Sequence, residues 1–294
     1  MMLIKRNILI YFRDRRNVIF SLYAVFFMIG VYLLFLSRTM EAALRNMLEL
    51  DATFNIGPIM TSIVLAGMIA STAVTSGQIG IFRFVADKEG PARDFFTTPI
   101  SRRKIIASYV IGAAIIGLIM TGATLAVSLV YLAINGGVTL GGNMLARLAL
   151  TAALTALCAN AFVFLLTTLA KTRESFNAII NLVSAMIGFM LGVFIPIGNL
   201  PDSVGWIIRL FPLTHGASMF RQVLADEALY SLFYTVQAPS EYLEEFREFF
   251  GIALRYGGFV SSFWFSAGVL AAAAAVFYGV GLWIIAYKKV VLAE

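Results

Sequence analysis

The sequence is short of most residues on which soluble chemistry relies. Histidine occurs once, at His215, and cysteine once, at Cys158. A single histidine argues against a histidine-rich metal site or a histidine-based catalytic triad in one chain, and no Cys/His cluster has metal-ligand spacing. At a helix start, His215 reads as a hydrogen-bonded structural residue rather than a ligand. A single cysteine excludes a disulfide within the chain. No glycine-rich loop ends in Gly-Lys-Ser/Thr, so the chain cannot hydrolyse ATP by that route. Charged residues make up only 13% of the sequence, against about a quarter in a soluble domain. The cores of the long apolar runs carry no Asp, Glu, Lys, Arg or His. Proton- and ion-coupled carriers place ionisable groups there, so a self-sufficient carrier or channel is the weaker of two functional readings.

What is abundant is apolar length. Hydrophobic residues make up 60% of the 294, and the pattern is that of an all-α polytopic membrane protein. Six spans are expected, at residues 18–37, 57–82, 105–134, 143–170, 175–196 and 258–287. The net charge of +6 does not call for a nucleic acid, because the basic residues cluster at the ends of the spans. With both termini inside, the cytoplasmic segments hold fifteen of the 22 Lys and Arg residues, and the outer segments hold the other seven. The inverted orientation would violate the positive-inside rule.

Residues 1–17 interleave Leu3, Ile4, Ile8, Leu9, Tyr11 and Phe12 with Lys5, Arg6, Arg13, Arg15 and Arg16. This is the composition of an amphipathic helix lying at the cytoplasmic interface, in contact with membrane lipids. Residues 39–56 form a short outer amphipathic segment. The largest non-spanning region, residues 197–257, is expected outside, with short helices at 206–211 and 216–224 and an acidic helix from about Ser240. Asp202 or Ser203 is placed to cap the first of these. Glu241, Glu244, Glu245 and Glu248 form one acidic face of the last.

The chain is organised around residues 83–104, RFVADKEGPARDFFTTPISRRK. Gly90-Pro91 interrupts the helix arriving from the second span, since proline removes a backbone donor and disfavours α geometry just before it. One short turn can form over Ala92–Phe96 before Thr98-Pro99 breaks the chain again, and Ser101 is placed to cap the third span. Lys88-Glu89-Gly90, Phe95, Thr98-Pro99 and Ser101-Arg102-Arg103 stand as in the first cytoplasmic loop of ATP-binding-cassette (ABC) exporter permeases of the type-2 group, which this segment resembles. The string Tyr11-Phe12-Arg13-Asp14-Arg15 is similar to the N-terminal connecting helix of the same group. The order 195–224 is similar to its re-entrant outer helices between spans five and six. The resemblance covers nearly the whole chain as one permease domain, 1–294.

In that family the loop is a coupling helix that docks on a separate ATPase. The resemblance therefore implies Asp87, Lys88, Glu89, Arg93, Asp94, Phe95 and Phe96 as ATPase-coupling residues. It also implies two ATPase copies that carry ATP and magnesium, a second permease subunit as homodimer or heterodimer, no cofactor on this chain and no catalysis by it. The expected location is the bacterial cytoplasmic membrane, and the expected cargo an amphipathic drug, lipid-like toxin, peptide or glycolipid.

Two polar faces interrupt the greasy spans. Ser71, Thr75 and Gln78 fall at i, i+4 and i+7 on the second, and Asn177, Asn181 and Ser184 repeat that spacing on the fifth. Either they staple helices together or they line a substrate path, and the residue pattern leaves both open. The string Thr75-Ser76-Gly77-Gln78 shares composition with the cassette-ATPase signature motif but lies inside an apolar span. Gly188 and Gly192 form a GxxxG spacing that predicts close helix approach.

Overall fold

The computed structural model describes residues 2–15, 56–89, 101–135, 141–170, 172–237 and 239–287, with scattered positions between 18 and 45. The expected first span and most of the outer segment after it fall outside the described residues, as do residues 90–100. The chain is helical almost throughout. In order come α1 (Met2–Arg13), α2 (Gly57–Glu89), α3 (Arg102–Ile134), α4 (Gly142–Leu169), α5 (Arg173–Met190), α6 (Asp202–Leu210), α7 (Pro212–Leu224), α8 (Asp226–Thr235), α9 (Ser240–Phe249), a short hairpin of β1 (Arg255–Tyr256) and β2 (Phe259–Val260), and α10 (Phe263–Tyr287).

Among the described residues, four helices are long and apolar enough to cross a membrane: Gly57–Asp87, Lys104–Ile134, Gly142–Leu169 and Phe263–Ala286. The first is the axis of the bundle. Its most apolar stretch is 83% buried, against 11% for the last. Helix α2 packs on α3, α4, α5 and α7, and α10 lies outside α4 and α7. The buried hydroxyls of α2 are satisfied within the helix. Thr61 donates to Gly57 O, Ser62 to Pro58 O, Thr72 to Met68 O and Ser76 to Thr72 O, at 2.6–3.0 Å. Such back-bonding lets a polar residue sit in an apolar bundle without an external partner. Gly80 sets the α2–α3 spacing: a Cβ there would lie 2.9 Å from Ala113 Cβ.

Helix α2 continues seven residues past Phe82, to Glu89, so the first part of the expected loop is a rigid extension of the rod. Helix α5 starts at a capping box in which Thr172 Oγ1 accepts from Ser175 N and Ser175 Oγ accepts from Thr172 N. It spans 18 residues, about 27 Å. It stops before the expected 194–196 because Gly192 takes a left-handed φ of +61°. Val193 N then bonds Gly188 O and Gly192 N bonds Phe189 O, closing a Schellman motif. The expected GxxxG face is therefore corrected: Gly192 lies past the helix end, and Gly188 is covered by the Phe194 ring.

Helices α6–α9 and the hairpin form a cap over the end of the bundle where α2 begins. Helix α7 starts at Pro212, four residues before the expected Gly216, and wedges between α2, α4 and α10. Neither Asp202 nor Ser203 caps α6: the N-cap position is Pro201, without a side-chain bond. Arg247 joins α9 to α8 by a two-pronged pair with Asp226 at 3.0 and 3.1 Å. Glu248 accepts from Arg255 and Arg209.

Candidate functional site

At the opposite end of α2, one carboxylate gathers three helices. Asp87 Oδ2 accepts from Tyr109 Oη of α3 at 2.7 Å and from Arg6 NH2 of α1 at 3.0 Å. The Arg6 guanidinium also reaches Asn7 Oδ1 at 3.2 Å and Tyr109 Oη at 3.4 Å. Helix α1 is seated on α3 by its apolar side. Asn7 is buried against Gly112, where a Cβ would stand 3.4 Å from Asn7 Cβ, and Tyr11 packs on Ile116 and Met120. Its other side exposes Met2, Leu9 and Phe12 together with Lys5 and Arg13, the mixed face that an interfacial helix presents to lipid.

Of the expected coupling residues, Asp87 is thus turned into the bundle, with its carboxylate engaged. Lys88 and Glu89 form the last backbone turn of α2. Arg93, Asp94, Phe95 and Phe96 fall outside the described residues. Ser101 holds the N-cap position of α3, but its hydroxyl makes no capping bond.

The two polar faces meet at one point. Ser184 Oγ donates to Gln78 Oε1 at 3.0 Å, joining α5 to α2. The Gln78 side chain is buried and its Nε2 has no partner. Ser71 and Thr75 turn their hydroxyls onto backbone carbonyls of their own helix. Asn177 and Asn181 are exposed on α5, beside Leu182, Met186 and Phe189. The arrangement brings Gln78 and Ser184 together and leaves both asparagines on an open face.

The cap contains the residue that the sequence reading missed. Arg221 of α7 is fully buried and donates to four carbonyls: Ile63 O at 3.2 Å, Leu191 O at 2.6 Å, Gly192 O at 2.9 Å and Gly251 O at 3.4 Å. Leu191 and Gly192 terminate α5, and Gly251 follows the end of α9. The guanidinium therefore sits between two helix C-termini, whose partial negative charge favours a cation. Burial lowers its pKa to about 10, which leaves it charged at neutral pH. Two left-handed glycines, Gly192 and Gly251, turn the backbone so that these carbonyls face inward. That pair of glycines after predicted helices is the signal that could have located the clamp.

His215 sits six residues earlier on α7 and is the structural residue expected. Tyr256 Oη donates to Arg209 O at 2.6 Å and so accepts from His215 Nε2–H at 2.9 Å. Nδ1 is then left to accept from Ser266 Oγ of α10 at 3.0 Å. Every donor in this chain has one acceptor only if the ring is neutral, and burial pushes its pKa down to about 4.

No curated protein matches the chain. The family described as ABC-2 family transporter protein matches residues 43–283, a stretch that contains the whole central rod, the 90–100 connection and the Arg221 cap, and the chain accordingly belongs to the ABC-2 transporter family.

Proposed function

We propose that the chain is the permease subunit of an ATP-driven exporter, moving an amphipathic substrate out of a bacterial cell while a separate cassette ATPase hydrolyses ATP and holds its magnesium. The carrying observation is the family match across residues 43–283, which takes in the charged segment between the two longest helices. Six spans with both termini in the cytoplasm place the 90–100 segment on the ATPase side, in keeping with the excess of Lys and Arg there. The α6–α9 cap then faces outward. Six spans make half a translocation unit, so the working assembly is two permease chains with two ATPase subunits. Drugs, lipid-like toxins, peptides and glycolipids all fit the amphipathic class.

Docking rests on Phe95 and Phe96 in this reading, because buried aromatic anchors dominate interface energy, often at 2 kcal/mol or more each. The charges of Lys88, Arg93 and Asp94 set register and on-rate. Phe95→Ala and Phe96→Ala should therefore reduce co-purification of a co-expressed cassette ATPase far more than Lys88→Ala does. Retention of the ATPase at wild-type stoichiometry with both phenylalanines replaced would refute the docking role. Failure of any cassette ATPase from the same genome to co-purify with the wild-type chain would refute the exporter reading itself.

A further inference from the structure

We propose that Arg6, Asp87 and Tyr109 are positioning residues that join the interfacial helix α1 to the bases of α2 and α3, so that ATPase-driven displacement of the 90–100 connection is carried into α1 as well as into the bundle. The inference rests on the exporter reading above. Asp87 stands three residues before Gly90, on the last two turns of an unbroken helix that ends at Glu89. Any tilt or twist imposed at the connection therefore moves its carboxylate directly. One oxygen of that carboxylate takes both bonds, from α3 at 2.7 Å and from α1 at 3.0 Å. The Asp87 side chain keeps 12% of its accessibility and that of Arg6 28%, so the pair is half-buried, and removing Arg6 leaves the carboxylate with only the Tyr109 bond of the two. The three groups therefore move together or the joint fails.

The rest of α1 explains why such a joint is useful. Its apolar side lies on α3 through Asn7 and Tyr11, whereas Arg6 ties it across to α2. Met2, Leu9, Phe12, Lys5 and Arg13 face away from the bundle, where apolar area and cationic charge hold a helix at a lipid interface. A lipid-anchored helix pinned to both flanks of the connection gives a displacement imposed there something to work against. Asp87 thus serves coupling through α1 and α3, not as a charge offered to the ATPase surface.

Hydrogen exchange separates docking from transmission. The permease, complexed with its co-purified ATPase in lipid nanodiscs, is compared with and without ATP and vanadate. In the wild type, residues 90–100 and residues 2–13 should both change exchange rate several-fold on trapping. In Arg6→Gln and Asp87→Asn the change at 90–100 should persist while the change at 2–13 falls below twofold. Arg6→Lys, which keeps the charge, should retain most of the α1 response. Tyr109→Phe keeps the ring contact with Phe84 and should give an intermediate response. An equal α1 response in Arg6→Gln, Asp87→Asn and wild type overturns the inference, as does a wild-type α1 that does not respond while 90–100 does. Absence of any nucleotide-dependent change at 90–100 in the wild type overturns the exporter reading instead.

Discussion

Arg221 offers the most demanding test of the cap. Arg221→Ala removes the donor to Leu191 O, Gly192 O and Gly251 O, and a buried carbonyl left without its partner costs about 1–3 kcal/mol. Ile63 O lies inside α2 and has its helical partner, so it adds little. Removing the side chain also opens a cavity beneath α7, where large-to-small changes cost about 2–5 kcal/mol. Against this, the variant recovers the several kcal/mol spent on desolvating a buried cation. The balance is a loss of about 4 kcal/mol. That is a large part of the roughly 5–15 kcal/mol that holds a typical fold. At about 2–4 °C per kcal/mol for a chain of this size, Tm should fall by on the order of 10 °C. Arg221→Met, which fills the volume without donating, separates the two costs and should lose about half as much. Arg221→Lys keeps the charge but not the planar fork, and should fall between wild type and Met. Thermal unfolding of detergent-solubilised protein, followed by size exclusion, reads all three. Arg221→Ala and Arg221→Met both melting within about 2 °C of wild type would show that the carbonyls find other donors and that the guanidinium is not a clamp.

Other expectations follow from single contacts. His215 is held neutral with its pKa lowered to about 4, against about 6.5 in the unfolded chain, so the unfolded state binds the extra proton between these values. Stability is full above pH 6.5 and falls by up to about 3 kcal/mol as pH drops to 4; His215→Asn should flatten that slope in a melting series, and an unchanged slope would reject the neutral-ring account. Gly192→Ala forces a Cβ into a left-handed residue and to within 3.2 Å of Ile197 Cγ1, which should cost about 1–3 kcal/mol; a melting point equal to wild type would contradict the Schellman assignment. Gln78→Leu loses the bond from Ser184 but also removes a buried amide whose Nε2 is unpaired, and with Ser184 exposed the two effects nearly offset, so stability should stay within about 1 kcal/mol of wild type. Asn181→Leu alters only an exposed position and should do the same. A change in ATP hydrolysis by the assembled complex at unchanged yield would then assign these residues to the substrate path, whereas activity and yield falling together would make them staples.

The helical class, four of the six expected spans and the acidic helix from Ser240 were legible because they depend on composition and on signals local in sequence. Gly57 opens α2 where expected, Asn135 closes α3 and Ser240 opens α9. The errors fall where the deciding partner is distant. The contacts of Asp87 were not readable, because its partners, Arg6 and Tyr109, lie 81 and 22 residues away. Gly192 fitted a GxxxG spacing because spacing alone does not distinguish an interior helical glycine from one just past the end, although Pro196 four residues later favours the second. Helix α8 was unread because its break from α7 falls at Ala225, which carries no glycine or proline signal. Arg221 looked like one more outer cation, since burial of a guanidinium on backbone carbonyls requires two helix ends brought together by the fold.

These particulars give α2 a definite mechanical character. It runs 33 residues without interruption, about 50 Å, and charged groups fix it at both extremities. At its base the Asp87 carboxylate holds α1 and α3; near its top Ile63 O shares the Arg221 guanidinium with the ends of α5 and α9. Between them its own hydroxyls are satisfied internally, and Gln78 makes a lateral bond to α5. Kinks arise at a proline, a Gly/Ser pair, a bulge or an inserted side chain; α2 has its one proline at Pro58 in the first turn, and through its one Ser-Gly pair, Ser76-Gly77, the helix continues unbroken. On the exporter reading proposed above, a displacement at Glu89 would be carried towards Ile63 along this continuous helix. The two charged joints, at Asp87 and at Arg221, tie α1, α3 and the ends of α5 and α9 to that rod.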